Sequence, residues 1–64
     1  MELKHYYGKK VTIVDVDGNT FTGLVDDYFF PEDNEGDEES IVIKTNGGGL
    51  VEFTSKDIKE ITII

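Results

Sequence analysis

From Lys10 onward, short runs of Val, Ile, Thr and Phe are cut at close intervals by glycine or clustered acids, a punctuation that admits strands and leaves no room for a long helix. Five strands fit it. Residues 10–16 run into Asp17-Gly18-Asn19, where Asp-Gly readily supplies the positive φ angles of a hairpin turn. Residues 20–29 return from that turn. Their apolar side chains change phase around Gly23, from Phe21 to the adjacent Leu24 and Val25, as expected of a strand bent sharply at a glycine. Residues 40–45 form the third strand, with Ile41 and Ile43 on one face, and Asn46-Gly47-Gly48-Gly49 is a second hairpin tip. Residues 50–53 form the fourth. The stretch 54–61 is too interrupted for a full helix and reads as one helical turn capped by Thr54 or Ser55, before a fifth strand over 61–64.

The first nine residues follow another pattern. Leu3, Tyr6 and Tyr7 are expected on the apolar side of a short helix stopped by Gly8, with an extended lead-in as the alternative. The fold class is therefore all-β: a small, five-stranded, strongly bent antiparallel barrel with a short N-terminal helix, one domain over 1–64 with an acidic loop at about 31–39. A 64-residue chain buries only about 60% of the surface its unfolded form exposes. Without cysteine it has no disulfide framework and no thiolate metal site, and its single histidine, His5, excludes a multi-histidine zinc site. No apolar run approaches the roughly 20 residues that span a bilayer, and the start lacks the apolar stretch of a signal peptide, so a cytoplasmic setting without membrane association is expected.

Charge is concentrated rather than spread. The net charge is −8, with no arginine, and six of the fourteen acids (Glu32, Asp33, Glu35, Asp37, Glu38 and Glu39) fall in one run without a base. Elsewhere eight acids face six lysines, a body charge of −2. Nucleic-acid binders need a basic surface to displace counterions from phosphates, and arginine is the best residue for bidentate phosphate or guanine contacts. Generic DNA or RNA binding is disfavoured.

The order of parts resembles the Sm-like (LSm) family of small β-barrels across nearly the whole chain. Leu3 to Ile13, LKHYYGKKVTI, looks like that family's short helix leading into the first strand; DGNTFTG, Asp17 to Gly23, is similar to its first hairpin and bent second strand. FTSKDIKEI, Phe53 to Ile61, looks like its closing motif, with Ile58 and Ile61 in place of two spaced aliphatics. Src-homology-3-like barrels carry similar hairpins and a similar short turn before the last strand. The resemblance implies a barrel, and assembly into rings through edge strands. Its RNA-binding residues do not carry over: where the family has aspartate followed by asparagine this chain has Phe29, and Thr54-Ser55 replaces the arginine-glycine pair before the final strand.

For the acidic run four readings compete. Counting back from Gly36 as the sixth position puts Pro31 first and Val42 twelfth, so the EF-hand calcium pattern fails, although an irregular site stays open. A nucleic-acid mimic would spread its carboxylates over a larger surface. Docking onto a basic protein gains from electrostatic steering. The plain alternative is a solvated connection that keeps the domain soluble and guards a sheet edge.

Tyr6, Tyr7, Tyr28, Phe29 and Phe30 are the second candidate. Tyr28, Phe29 and Phe30 cannot all face inward along one strand, so an exposed aromatic beside an acidic rim is expected, suited to protein binding; the alternative has Phe29 or Phe30 closing the end of the barrel. His5 has no candidate nucleophile, and Ser40 and Ser55 sit in turn contexts. Asp15 and Asp17 flank a turn, adjacent Asp26 and Asp27 point to opposite faces of a strand, and Lys9, Lys10, Lys44, Lys56 and Lys59 look scattered. The expected function is a non-enzymatic interaction module with no cofactor and no metal. It binds an unidentified protein partner through Tyr28 to Phe30 and the six acids, or pairs with itself as a homo-oligomer through the β-prone edge Ile61, Thr62, Ile63 and Ile64.

Overall fold

The computed structural model describes residues 2–64 and contains five strands: β1 (Lys10–Asp15), β2 (Thr20–Phe29), β3 (Ser40–Thr45), β4 (Leu50–Thr54) and β5 (Ile58–Ile63). They form one antiparallel sheet in the order β4-β3-β2-β1-β5. The sheet is open, with β4 and β5 as its two edges, so no ladder closes it into a barrel. The remaining regular structure is limited to 3₁₀ turns of three or four residues, and among the described residues no helix is long and apolar enough to cross a membrane.

Gly23 is the corner of the sheet. It pairs with Val11 on one side and Thr45 on the other, at the point where β2 leaves its partnership with β1 and takes up β3. A Cβ there would lie 2.3 Å from the Lys44 carbonyl oxygen, so only glycine permits this approach. Beyond the corner the sheet turns over onto its own inner face. The rings of Phe21 (β2) and Phe53 (β4) meet edge to face at 5.1 Å although β3 lies between their strands. Between these faces Leu3, Val11, Ile13, Val25, Ile41, Ile43, Phe53 and Ile58 form the core. Truncating a fully buried isoleucine such as Ile41 to alanine costs about 2–5 kcal/mol in such an interior.

Two bulges set which side chains reach that core. In β2 the pairing steps from Val25↔Ile43 to Asp27↔Val42, leaving Asp26 as an extra residue; Val25 and Tyr28 thereby both turn inward although three positions apart. In β5 the pairing steps from Glu60 to Ile58 across Val14 and Asp15, so Lys59 is extra and Ile58 and Ile61 both pack inward. The phase change expected at Gly23 therefore lies at Asp26: Phe21, Gly23 and Val25 alternate regularly on the inner side, and Leu24 is exposed.

The ends of the elements differ from the sequence expectation in other places. The N-terminal helix is a single 3₁₀ turn over Leu3–Tyr6; Leu3 is fully buried, Tyr6 packs on the core and Tyr7 faces solvent. Gly8 does end it, at φ +76°. The turn expected over 54–61 is confined to Ser55–Asp57, where the Asp57 carboxylate accepts the Thr54 backbone N–H at 3.0 Å and its hydroxyl at 3.1 Å. The fifth strand starts at Ile58 rather than Ile61. In the first hairpin only Gly18 takes a positive φ, and the Asp15 carboxylate holds the turn by accepting the N–H groups of Asp17 (3.0 Å) and Asn19 (2.8 Å).

Candidate functional site

The bulge at Asp26 re-aims the end of β2. Both aspartates become exposed, and Asp27 Oδ1 accepts the N–H of Tyr28 at 2.8 Å. Tyr28 turns toward the N-terminal 3₁₀ turn, where its hydroxyl donates to Glu39 Oε1 at 3.0 Å. The same oxygen accepts the Leu3 N–H at 2.9 Å. One carboxylate thus ties the N-terminal turn, the end of β2 and the start of β3 together. The Tyr28 phenol is pushed above its usual value, first by burial, then by the hydrogen bond to Glu39 and by the charges of Glu39, Glu32 and Glu2, so at neutral pH it is a neutral donor.

Phe30 packs its ring edge to face against Tyr28 at 5.1 Å yet remains 54% exposed, and Tyr7, across the N-terminal turn, is 58% exposed. Between them lies a hollow of about 340 Å³ lined by Lys4, Tyr7, Asp27, Tyr28 and Phe30. A second hollow of about 290 Å³ adds Glu2, Pro31 and Glu39 and shares Lys4, Tyr28 and Phe30 with the first, so the two form one groove. Phe29 is half-buried, pairs with Ser40 in the ladder and lines neither hollow.

Of the nine residues expected to bind a partner, Tyr28, Phe30 and Glu39 line the groove. The acidic run divides. Glu32, Asp33, Glu35 and Asp37 lie exposed on two 3₁₀ turns, Pro31–Asp33 and Glu35–Asp37, and their side chains make no hydrogen bond or ion pair among the described residues. Glu38 and Glu39 are half-buried. Glu38 accepts the Ser55 hydroxyl and lies 3.9 Å from Lys56 Nζ, while the Glu39 carbonyl accepts the Ser55 N–H at 3.2 Å. Asn34 pins the segment between them. Its amide donates to the Glu38 carbonyl at 2.7 Å and to Ser40 Oγ at 3.1 Å, and the buried Ser40 hydroxyl donates onward to Glu52 at 2.9 Å.

Sequence reasoning singled out Tyr7 among the aromatics and missed Glu2, Lys4, Asp27 and Pro31 as groove residues. The available signal was Asp26-Asp27 set between Leu24-Val25 and Tyr28-Phe29 in one strand, the mark of a bulge that turns two neighbours outward. His5 Nε2 lies 3.4 Å from Glu2 on the exposed side of the N-terminal turn. Among the described residues no three His, Asp or Glu side chains are grouped to hold a metal ion. At the sheet edge Ile61 is half-buried, and Thr62, Ile63 and Ile64 are exposed, as is Leu50 on the opposite edge strand, β4. No protein-family model, curated protein or solved structure matches the chain.

Proposed function

We propose that the chain is a non-enzymatic protein-interaction module, a Sm-like, strongly bent β-barrel scaffold left open between β4 and β5, that docks a partner protein in the groove between its N-terminal turn and the end of β2. The observation that carries this reading is the pair of exposed rings, Tyr7 and Phe30, standing around a hollow on a small domain, with Glu2 and Glu39 lining the adjoining hollow and four exposed acids following in the chain after Pro31. Solvated loops need charge but not exposed aromatics, whereas aromatic anchors with a polar rim are the anatomy of a binding patch. The barrel assignment draws on the corner at Gly23 and on the 5.1 Å contact of Phe21 with Phe53.

Affinity capture with the immobilised chain tests it. Phe30→Ser and the fourfold neutralisation Glu32→Gln, Asp33→Asn, Glu35→Gln and Asp37→Asn are each expected to reduce capture of a discrete partner, the fourfold variant at unchanged thermal stability and Phe30→Ser with about 1 kcal/mol lost from the ring contact with Tyr28. Capture indifferent to both variants removes the groove from the function.

Self-assembly is the second reading, favoured by the two unpaired strand edges, β4 with Leu50 and β5 with Ile63 and Ile64 exposed. Such edges template strand addition unless blunted. Light scattering coupled to size exclusion is expected to give one defined multimer if these edges pair, and a monomer at all concentrations rules edge pairing out.

A further inference from the structure

The groove is more than an apolar depression. Its larger hollow brings three aromatic rings, Tyr7, Tyr28 and Phe30, together with the carboxylate of Asp27. Aromatic faces carry negative charge density, and a cation over one or more such faces is attracted by about 0.5–2 kcal/mol, more as water is excluded. Asp27 Oδ1 is engaged by the Tyr28 N–H, which fixes the carboxylate and leaves Oδ2 for a second donor. The surroundings have the same sign: Glu2 and Glu39 line the adjoining hollow, and the exposed acids at 32, 33, 35 and 37 follow Phe30 directly in the chain. A volume of about 340 Å³ is at the low end for ligand pockets, which run to roughly 1,000 Å³, and suits one long side chain rather than a larger molecule.

We infer that this hollow receives an arginine side chain from an extended segment of the docked partner, its guanidinium stacked on the rings of Tyr7 and Phe30 and hydrogen-bonded to Asp27. Arginine fits better than lysine because its planar group stacks on an aromatic face while its edge donates to a carboxylate; a lysine ammonium is more strongly hydrated and does one or the other. The neutral Tyr28 phenol keeps a third ring in place through its bond to Glu39. Lys4 is the single base lining the groove and borders both hollows, without an ion-pair partner among the described residues. It is a resident competitor for the same negative surface, so its removal strengthens binding.

This inference rests on the reading of the groove as a docking surface, and the two fail separately. The probe is the capped heptapeptide Gly-Ser-Ala-Arg-Ala-Ser-Gly, titrated to millimolar concentration into the full chain at low salt and followed by amide and aromatic NMR shifts, beside the same peptide with citrulline for arginine. Citrulline keeps the shape and removes the charge. Saturable shifts centred on Tyr7, Asp27, Tyr28 and Phe30 are expected, with the arginine peptide binding about tenfold tighter than its citrulline twin, the size of a partly desolvated cation–π contact with a charge-assisted hydrogen bond. Tyr7→Ala and Asp27→Asn, both at exposed positions, should each erase most of that difference without moving the thermal midpoint, and Lys4→Ala should increase affinity about twofold to threefold, as for one nearby like charge in a solvated setting. Equal binding of the two peptides, shifts confined to residues 32–37, or no shift in the groove would each overturn the arginine site. Docking itself is lost only if partner capture survives both Phe30→Ser and the fourfold neutralisation.

Discussion

Glu32, Asp33, Glu35 and Asp37 stand in solvent without partners, whereas Glu38 and Glu39, the last two acids of the same run, are half-buried and accept hydrogen bonds from Ser55, Leu3 and Tyr28. The side chains are chemically alike, so position alone separates them. The first four ride on two 3₁₀ turns that leave the sheet after Phe30; the last two have come back to it, within two residues of the buried Ser40. A carboxylate close to backbone and hydroxyl donors at a half-buried junction is a structural acceptor, and one with water on all sides is a source of field. Charge counting treats the six as one feature, and the fold gives them two jobs.

Glu39→Ala should have the largest effect. It strips the acceptor from the Leu3 N–H and the Tyr28 hydroxyl together, a loss of about 2 kcal/mol for hydrogen bonds to a charged group. For a domain of this size that lowers the thermal midpoint by roughly 8–16 °C. A midpoint that does not move would dissolve the distinction between the two halves of the run. Glu38→Ala, losing the Ser55 hydroxyl and a long contact to Lys56, should cost about 1 kcal/mol. In a double-mutant cycle with Ser55→Ala the two changes should be less than additive; simple additivity would mean the contact contributes nothing.

Tyr28→Phe sharpens the comparison through pH. Folding holds this phenol above its unfolded value of about 10, so its contribution is complete below pH 10 and is lost as the pH rises through the higher folded value. Chemical denaturation between pH 8 and 12 should therefore show a steeper alkaline loss in the wild type than in Tyr28→Phe, with about 1 kcal/mol separating them at neutral pH, as for one removed hydrogen bond. Parallel profiles would mean that Glu39 holds the fold through Leu3 alone. The smallest stability effect is expected where the most charge is removed: neutralising Glu32, Asp33, Glu35 and Asp37 together should leave stability within about 0.5 kcal/mol in all, the range of a single surface substitution. Any change should be upward, because like charges no longer repel.

The five strands were legible because each is bounded by its own turn residues. β2 and β3 fall on the expected residues, and β1 and β4 shift by one at their ends. The bulges were not legible as such. At Asp26 and Lys59 an extra residue changes the period from two to three, and a pattern of Leu24, Val25 and Tyr28 is equally well explained by a bend at Gly23 until the pairing to Ile43 and Val42 is known. The expected N-terminal helix shrank to one 3₁₀ turn because the seven residues before Gly8 are too few to repay helix nucleation; Leu3 and Tyr6 instead use the turn to reach the core. The aromatic half of the site could be argued from three consecutive rings that cannot share a face. Its other wall could not. Lys4 and Tyr7 meet Phe30 because the Glu39 carboxylate, 36 positions from Leu3, and the Gly8 N–H bond to the Val25 carbonyl hold the first residues against β2, and nothing local in either segment encodes those bonds.

The most direct test of the division within the acidic run is the affinity of the variant carrying Glu32→Gln, Asp33→Asn, Glu35→Gln and Asp37→Asn for the arginine heptapeptide at low ionic strength. A several-fold loss of affinity at an unchanged thermal midpoint is the expected result, since these four carboxylates act on the partner through their field and on the fold hardly at all. Affinity equal to that of the wild type would contradict it and leave the acidic run as a solvated connection.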